Sequence, residues 1–177
     1  MIFERTAVDG AFLIRPERRE DERGFFARTT CVREFTDAGL DPTVVQRSIS
    51  YNRRRGTLRG MHYQIAPHEE SKLVSCAHGA IYDVVLDLRP ASPTFRRWHA
   101  ATLSDENFDG LFIPKGCAHG FLTLADDVVV QYEISEYHHP ESARGLRYDD
   151  PAFGITWPSA PAVISARDLE YPAYVAG

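Results

Sequence analysis

No apolar run in this chain of 177 residues is long enough to cross a bilayer, and Glu4, Arg5, Asp9, Arg15, Glu17, Arg18 and Arg19 interrupt its first thirty residues. That excludes a helical membrane span or a secretory leader in this stretch, so the expected location is the cytoplasm. Cysteine is scarce: Cys31, Cys76 and Cys117 are odd in number and lack paired metal-ligand spacing. They read as reduced, mostly buried thiols and not as a disulfide framework. A basic excess is missing too, with 20 Lys and Arg against 25 Asp and Glu and a formal net charge of -5, which argues against nucleic acid as a general partner. Low-complexity tracts and solenoid-length repeats are absent, and the 11 prolines and 12 glycines are dispersed. One domain spanning 1–177 is expected, burying about 70% of the surface its unfolded chain exposes.

Helical periodicity is also in short supply. One short helix is predicted through Val32, Phe35 and Leu40, with Thr30 as its cap and Gly39 near its end. Strand pattern dominates. KLVSCAHGAIYDVVLDL (72–88) reads as two strands around a turn at His78-Gly79, with Ala80, Tyr82, Val84 and Leu86 alternating against Ile81, Asp83, Val85 and Asp87. Trp98–Leu103, Gly110–Ile113, Gly120–Leu124 and Val128–Ser135 have similar length and β-branched or aromatic content, separated by turn-rich pieces. Short strands at this spacing predict an all-β jelly roll or related barrel with a few short helices. The proline-bearing tail after Trp157 reads as a surface wrap.

Two segments place a histidine in strand-like surroundings, RGMHYQ (59–64) and PKGCAHG (114–120). His62 should share a strand face with Leu58, Gly60 and Gln64, and Tyr132 with Val130 and Ile134. A buried histidine and a buried tyrosine suit an acid–base couple, and suit equally a pair of hydrogen-bonded core residues. Lys72 and Arg59 are either solvated strand ends or cations at a barrel mouth, able to hold phosphate or a developing enolate. Arg53–Arg55 reads as a solvated loop, and His68, His78, His99 and His139 as surface or structural residues.

The two segments resemble the half-motifs of the cupin jelly roll, where His-x-His and a carboxylate from the first join a third histidine from the second around a metal. Here Gln64 stands where the second histidine would be. A metal cupin would have to use His62, Gln64, Glu69 or Glu70, and His119, and the neutral amide makes that a poor set. A wider resemblance runs over nearly the whole chain: DERGFF (21–26), TLRGMHYQ (57–64), KLV (72–74), DLRPASPTF (87–95), LFIPKGCAHGF (111–121) and RYDDPAFGITWP (147–158) resemble the dTDP-4-dehydrorhamnose 3,5-epimerase family. That resemblance implies a cofactor-free, metal-free cupin-type jelly-roll homodimer epimerising a 4-keto-6-deoxy sugar on a nucleoside diphosphate. A binding module that keeps the pocket without turnover is the non-enzyme alternative.

Matched position by position, the resemblance implies His62 as base, Asp168 as its orienting carboxylate, Tyr132 as acid and Lys72 as enolate stabiliser. Arg23 and Arg59 match diphosphate or sugar contacts, His119 a substrate contact, and Arg167 a basic substrate-side position; Gln46, Ser48, Tyr137 and His138 fall in the substrate-binding set. Four positions depart from the usual pattern: Arg28, Ser48, His138 and Ala143. All four fall on the substrate-positioning side, so the nucleotide stays open, as does whether carbon 3, carbon 5 or both are inverted.

Overall fold

The computed structural model describes residues 1–174; the last three residues of the expected 1–177 domain lie outside the described residues. Two antiparallel sheets face each other. The first contains β1 (Ile2–Arg5), β2 (Phe12–Arg15), β10 (Gly110–Ile113), β7 (Lys72–His78), β12 (Val128–Ile134) and β5 (Gln46–Asn52), in that spatial order. The second runs β13 (Ala143–Gly145), β6 (Leu58–Gln64), β11 (Cys117–Thr123), β8 (Ala80–Asp87) and β9 (Trp98–Ser104). A small hairpin, β3 (Arg19–Asp21) with β4 (Gly24–Phe26), stands apart from both. This is the all-β jelly roll that the strand spacing predicts, with helices limited, among the described residues, to α1 (Val32–Asp37) and α2 (Ala166–Leu169). Among the described residues no helix is long and apolar enough to cross a membrane.

Between the sheets lies a core to which β7, β10 and β12 contribute Val74, Cys76, Leu111, Ile113, Val128 and Val130, and the facing sheet Ile81, Val85, Leu103, Cys117 and Phe121. Burial pushes the Cys76 and Cys117 thiols up, to about 11 and about 12, so both behave as small inert hydrophobes. Cys31 is only half-buried. A second apolar layer sits on the outer side of the five-stranded sheet, where Met61, Val84, Leu86 and Ala118 are covered by Leu146, Phe153, Trp157 and Tyr174. The alternation in β8 therefore does not divide an inner from a wet face: Ile81 through Asp87 are buried apart from Tyr82, which is half-buried.

The short helix forms where expected, but without the predicted cap. Cys31 occupies the N-cap and offers no side-chain hydrogen bond, while the Thr30 hydroxyl donates to Glu133 Oε2 at 2.9 Å. What anchors α1 is Phe35, 2% exposed and packed with Phe12, Leu40 and Phe112. Tertiary burial replaces the cap in a helix too short to stand alone.

Asp87, fully buried at the end of β8, accepts from Arg89 N at 3.0 Å, Arg89 Nε and Nη2 at 2.8 Å, Ser92 Oγ at 2.5 Å and Thr94 Oγ1 at 2.6 Å. Burial pushes its carboxyl up, but these donors outweigh burial and bring it down to about 2. The DLRPASPT stretch is thus a loop wound around one carboxylate. Because the folded value lies below that of an ordinary aspartate, the stabilisation is present above about pH 5 and is lost as pH falls toward 2. Asp87→Asn should cost about 2 kcal/mol at neutral pH and flatten the acid limb of the stability curve, which urea unfolding at stepped pH measures.

Candidate active site

The site begins where β6 and β11 come unusually close. Gly60 has φ +127°, and a Cβ there would lie 2.5 Å from Gly120 Cα; a Cβ on Gly120 would lie 2.6 Å from Met61 Sδ. Both positions exclude a side chain. The pairing runs His119 opposite His62, then shifts register before Phe121 pairs with Arg59. The expected face is corrected accordingly. Arg59, three residues before His62, lines the same cavity as His62 and Gln64, whereas Leu58 and Gly60 are buried and do not line it.

That cavity, about 430 Å³, opens between the sheets and is lined by Gln46, Ser48, Arg59, His62, Gln64, Glu70, Lys72, His119, Tyr132, His138, Ala143, Arg144, Arg167 and Tyr171, among others. The six-stranded sheet supplies Lys72 from β7, Tyr132 from β12, and Gln46 and Ser48 from β5; Ser48 pairs with Tyr132, and Tyr132 with Val74. His62 and His119 approach from the other sheet.

His62 Nε2 lies 2.7 Å from Asp168 Oδ1, with the His62 side chain 42% exposed and Asp168 6%. Four-residue α2 places the carboxylate: Ser165 Oγ caps it by accepting from Asp168 N at 3.1 Å, and Gly60 N donates to Asp168 Oδ2 at 3.4 Å. Burial pushes Asp168 up, yet the hydrogen bond and charge of His62, with Gly60 and Ser165, outweigh it and hold the carboxyl below its usual range. Tyr132 moves the other way. Burial first, then the charge of Asp83, raise its phenol well above the ordinary range, with Arg59 opposing. Its proton therefore stays on at neutral pH.

Several partners carry no signal in the sequence. His119 Nε2 meets Asp83 at 2.7 Å, both buried, and the second Asp83 oxygen is buried without a partner. Lys72 Nζ is 2.7 Å from Glu70. Arg59 Nε donates to Asn52 Oδ1 at 2.8 Å, and Asn52 is itself fixed by donating to the Ser50 and Val128 carbonyls. Arg144 and Tyr171 join the lining, Tyr171 edge-on to His62 with ring centroids 6.0 Å apart. Period-2 alternation would put Asp83 on the inner face with Ile81 and Val85, the one hint that it belongs to the interior.

Two expected contacts lie elsewhere. Arg23 sits in the β3–β4 turn, its side chain 84% exposed and paired with Asp21. Tyr137 is exposed and contributes its carbonyl to Gln64, while its neighbour His138 lines the cavity. Of the four departing positions, Ser48, His138 and Ala143 are at the cavity, whereas Arg28 pairs with Glu34 on the surface. The atoms a metal cupin would use are also committed: His62 to Asp168, His119 to Asp83, and the Gln64 amide to three backbone groups.

A carboxylate-held imidazole facing a protonated phenol across a cavity ringed by Lys72, Arg59, Arg144 and Arg167 is the arrangement of a proton-transfer enzyme for an anionic substrate. The sequence model of dTDP-4-dehydrorhamnose 3,5-epimerase matches residues 5–175. The enzyme of that name from Sinorhizobium fredii is 40% identical over 174 residues, covering 98% of this chain and 89% of its own. The crystal structure of the Elizabethkingia anophelis enzyme superposes with TM-score 0.95 at 34% identity, covering 98% of this chain and 96% of that one. The Legionella pneumophila enzyme in complex with dTDP-4-keto-L-rhamnose gives 0.88 at 34% identity, with 99% of each chain covered. The chain belongs to the dTDP-4-dehydrorhamnose 3,5-epimerase family.

Because Ser165 sets the first turn of α2, Ser165→Ala should destabilise the protein by about 1 kcal/mol. Urea unfolding checks this, with an unchanged midpoint as the contrary result.

Proposed function

We propose that this protein epimerises a nucleoside-diphosphate 4-keto-6-deoxy sugar, with His62 and Tyr132 exchanging protons on opposite faces of one carbon. The observation that carries this reading is their placement on opposing sheets around one cavity, His62 tied to Asp168 and Tyr132 kept protonated by burial. The ketone acidifies the adjacent C–H, so the reaction needs no redox partner. His62 takes the proton, the C–H electrons move into the carbonyl, and an enolate forms. Lys72 stabilises the enolate oxygen. The enolate collapses, its carbon takes the Tyr132 proton from the other face, and the carbonyl reforms. Exchange with water returns the tyrosinate and imidazolium to their starting states.

Asp168 holds the imidazole in one tautomer and stabilises its cationic form. Arg59, oriented by Asn52, together with Arg167 and Arg144, supplies guanidinium groups for the diphosphate. Gln46, Ser48, His119 and His138 are assigned to substrate placement. The reading places the enzyme in the cytoplasm, where its nucleotide-sugar substrates would be met.

The same reading includes a homodimer. β5 is an edge strand, with Ile49 72% exposed and Tyr51 52% exposed. The outer face of the six-stranded sheet carries a hollow of about 480 Å³ lined in part by Ile14, Ile49, Leu73 and Phe108. A second copy there would cover the edge, and would offer a place for the β3–β4 hairpin, whose Arg23 and exposed Phe26 have no use in this chain's own cavity.

Incubation with a dTDP-4-keto-6-deoxy sugar in deuterated water should place deuterium at carbon 3, carbon 5 or both. His62→Ala should slow that exchange by about 10²–10⁴-fold. Tyr132→Phe should retain exchange while losing inversion. Binding of dTDP, UDP, CDP or GDP sugars with no exchange at any carbon in the native protein would leave a binding module instead.

A further inference from the structure

Two histidines far apart in the sequence meet outside the cavity. The imidazoles of His68 and His139 are stacked, with ring centroids 3.4 Å apart and planes 9° from parallel. Glu136 reaches the same point, its Oε2 4.0 Å from His68 Nδ1. One donor atom from each of the three lies within 4.8 Å of the others, and all three side chains are about 30% exposed. We propose that His68, Glu136 and His139 bind a divalent transition ion of the zinc class.

The ligand chemistry fits. An imidazole binds metal through a ring nitrogen that carries no proton, so binding here is accompanied by proton release from any ring that is charged. Two nitrogens and one carboxylate oxygen suit zinc, copper or nickel better than magnesium or calcium. Donors around a tetrahedral zinc stand about 3.4 Å apart, so the three side chains must draw together from a cluster whose donor atoms lie within 4.8 Å of one another. The lone pairs lie in the ring planes, so the stacked rings must also tilt apart, which their partial exposure allows. Glu141 already holds His139 Nδ1 at 3.0 Å, the carboxylate support common on metal-bound imidazoles, and this leaves Nε2 for the ion.

The site is built by a residue that the reaction does not use. Gln64 is 3% exposed, and its amide donates to the His68 carbonyl at 2.9 Å and the Tyr137 carbonyl at 3.1 Å while accepting from His139 N at 2.7 Å. One side chain thus fixes the backbone of both loops that carry the ligands. The Ile65 N to Ser142 O bond at 3.0 Å and the Ser71 N to Ser135 Oγ bond at 2.8 Å close the frame on either side. An ion here would lock the 135–141 segment, which carries His138 into the cavity, and leave the proton-transfer residues untouched.

Calorimetric titration of the chelator-treated full chain with zinc chloride alone, without substrate, tests the site independently of the epimerase reading. One saturable equivalent with a micromolar dissociation constant is expected, weakened at least tenfold by His68→Ala or His139→Ala and unchanged by His78→Ala, with melting temperature rising only where zinc binds. Copper(II) bound at one equivalent should show nitrogen coupling from two imidazoles in its paramagnetic resonance spectrum. No saturation below about 100 μM zinc, or unchanged binding in the folded double variant, overturns the proposal.

Discussion

The close approach of Gly60 and Gly120, where neither position admits a side chain, is the constraint on which the rest of the site depends. With no room for a side chain at either position, β6 and β11 lie almost in contact, and the ladder changes register there. Without that shift, Arg59 and His62 would point to opposite faces, since three residues is an odd step along a strand. With it, both enter one cavity, and Gly60 N is left pointing at Asp168 Oδ2. A single steric fact therefore brings together a cation, an imidazole and the carboxylate that supports it. The two histidine motifs are in effect two glycine motifs, with the histidines placed by what the glycines permit.

A second theme is the number of carboxylates drawn into the interior and the different ways each is kept charged or neutralised. Burying a carboxylate without partners is costly. Asp87 is surrounded by hydroxyl, guanidinium and backbone donors and serves only to wind a loop. Asp168 has one long backbone N–H donor, from Gly60, and its strongest partner is an imidazole that faces the cavity. Asp83 is the least compensated, with one oxygen on His119 and the other unpaired, and its charge helps keep the Tyr132 phenol protonated. The degree of satisfaction follows use. Of these three, Asp87 is surrounded by donors, whereas Asp168 and Asp83, beside the cavity, are less fully compensated.

Strand identity was legible because alternation, β-branched content and turn residues agreed, and Gly110–Ile113 coincides with the structure at both ends. The inner face of β12, with Val130, Tyr132 and Ile134, was also legible, because a regular ladder carries period 2 without interruption. The face of β6 was not, because periodicity cannot register a bulge. The Thr30 cap failed because packing of Phe35 settles where α1 begins. Asn52 and Asp83 were hard to place for another reason: each acts through a partner in space, on Arg59 and His119, and no local pattern marks such a pairing. Arg23 and Tyr137 came from likeness to a family, and one chain alone leaves both side chains facing away from its cavity.

The division between strands and loops explains where this chain can vary without disturbing its chemistry. His62, Lys72 and Tyr132 sit on paired strands whose positions are over-determined by ladders on both sides, the setting in which sub-ångström placement of side chains can be held. His138 and Arg167 belong to a loop and a short helix, and Ala143 to the edge strand β13, so each can change with local adjustment only. Gln64 stands at the border, its backbone in β6 two residues from His62 and its amide clamped on two loops. Placed where a metal ligand would stand in a cupin, it makes a neutral hydrogen-bonding strut instead. The loop that carries His138 is thereby tied to the strand that carries His62 without adding a further charge beside that imidazole.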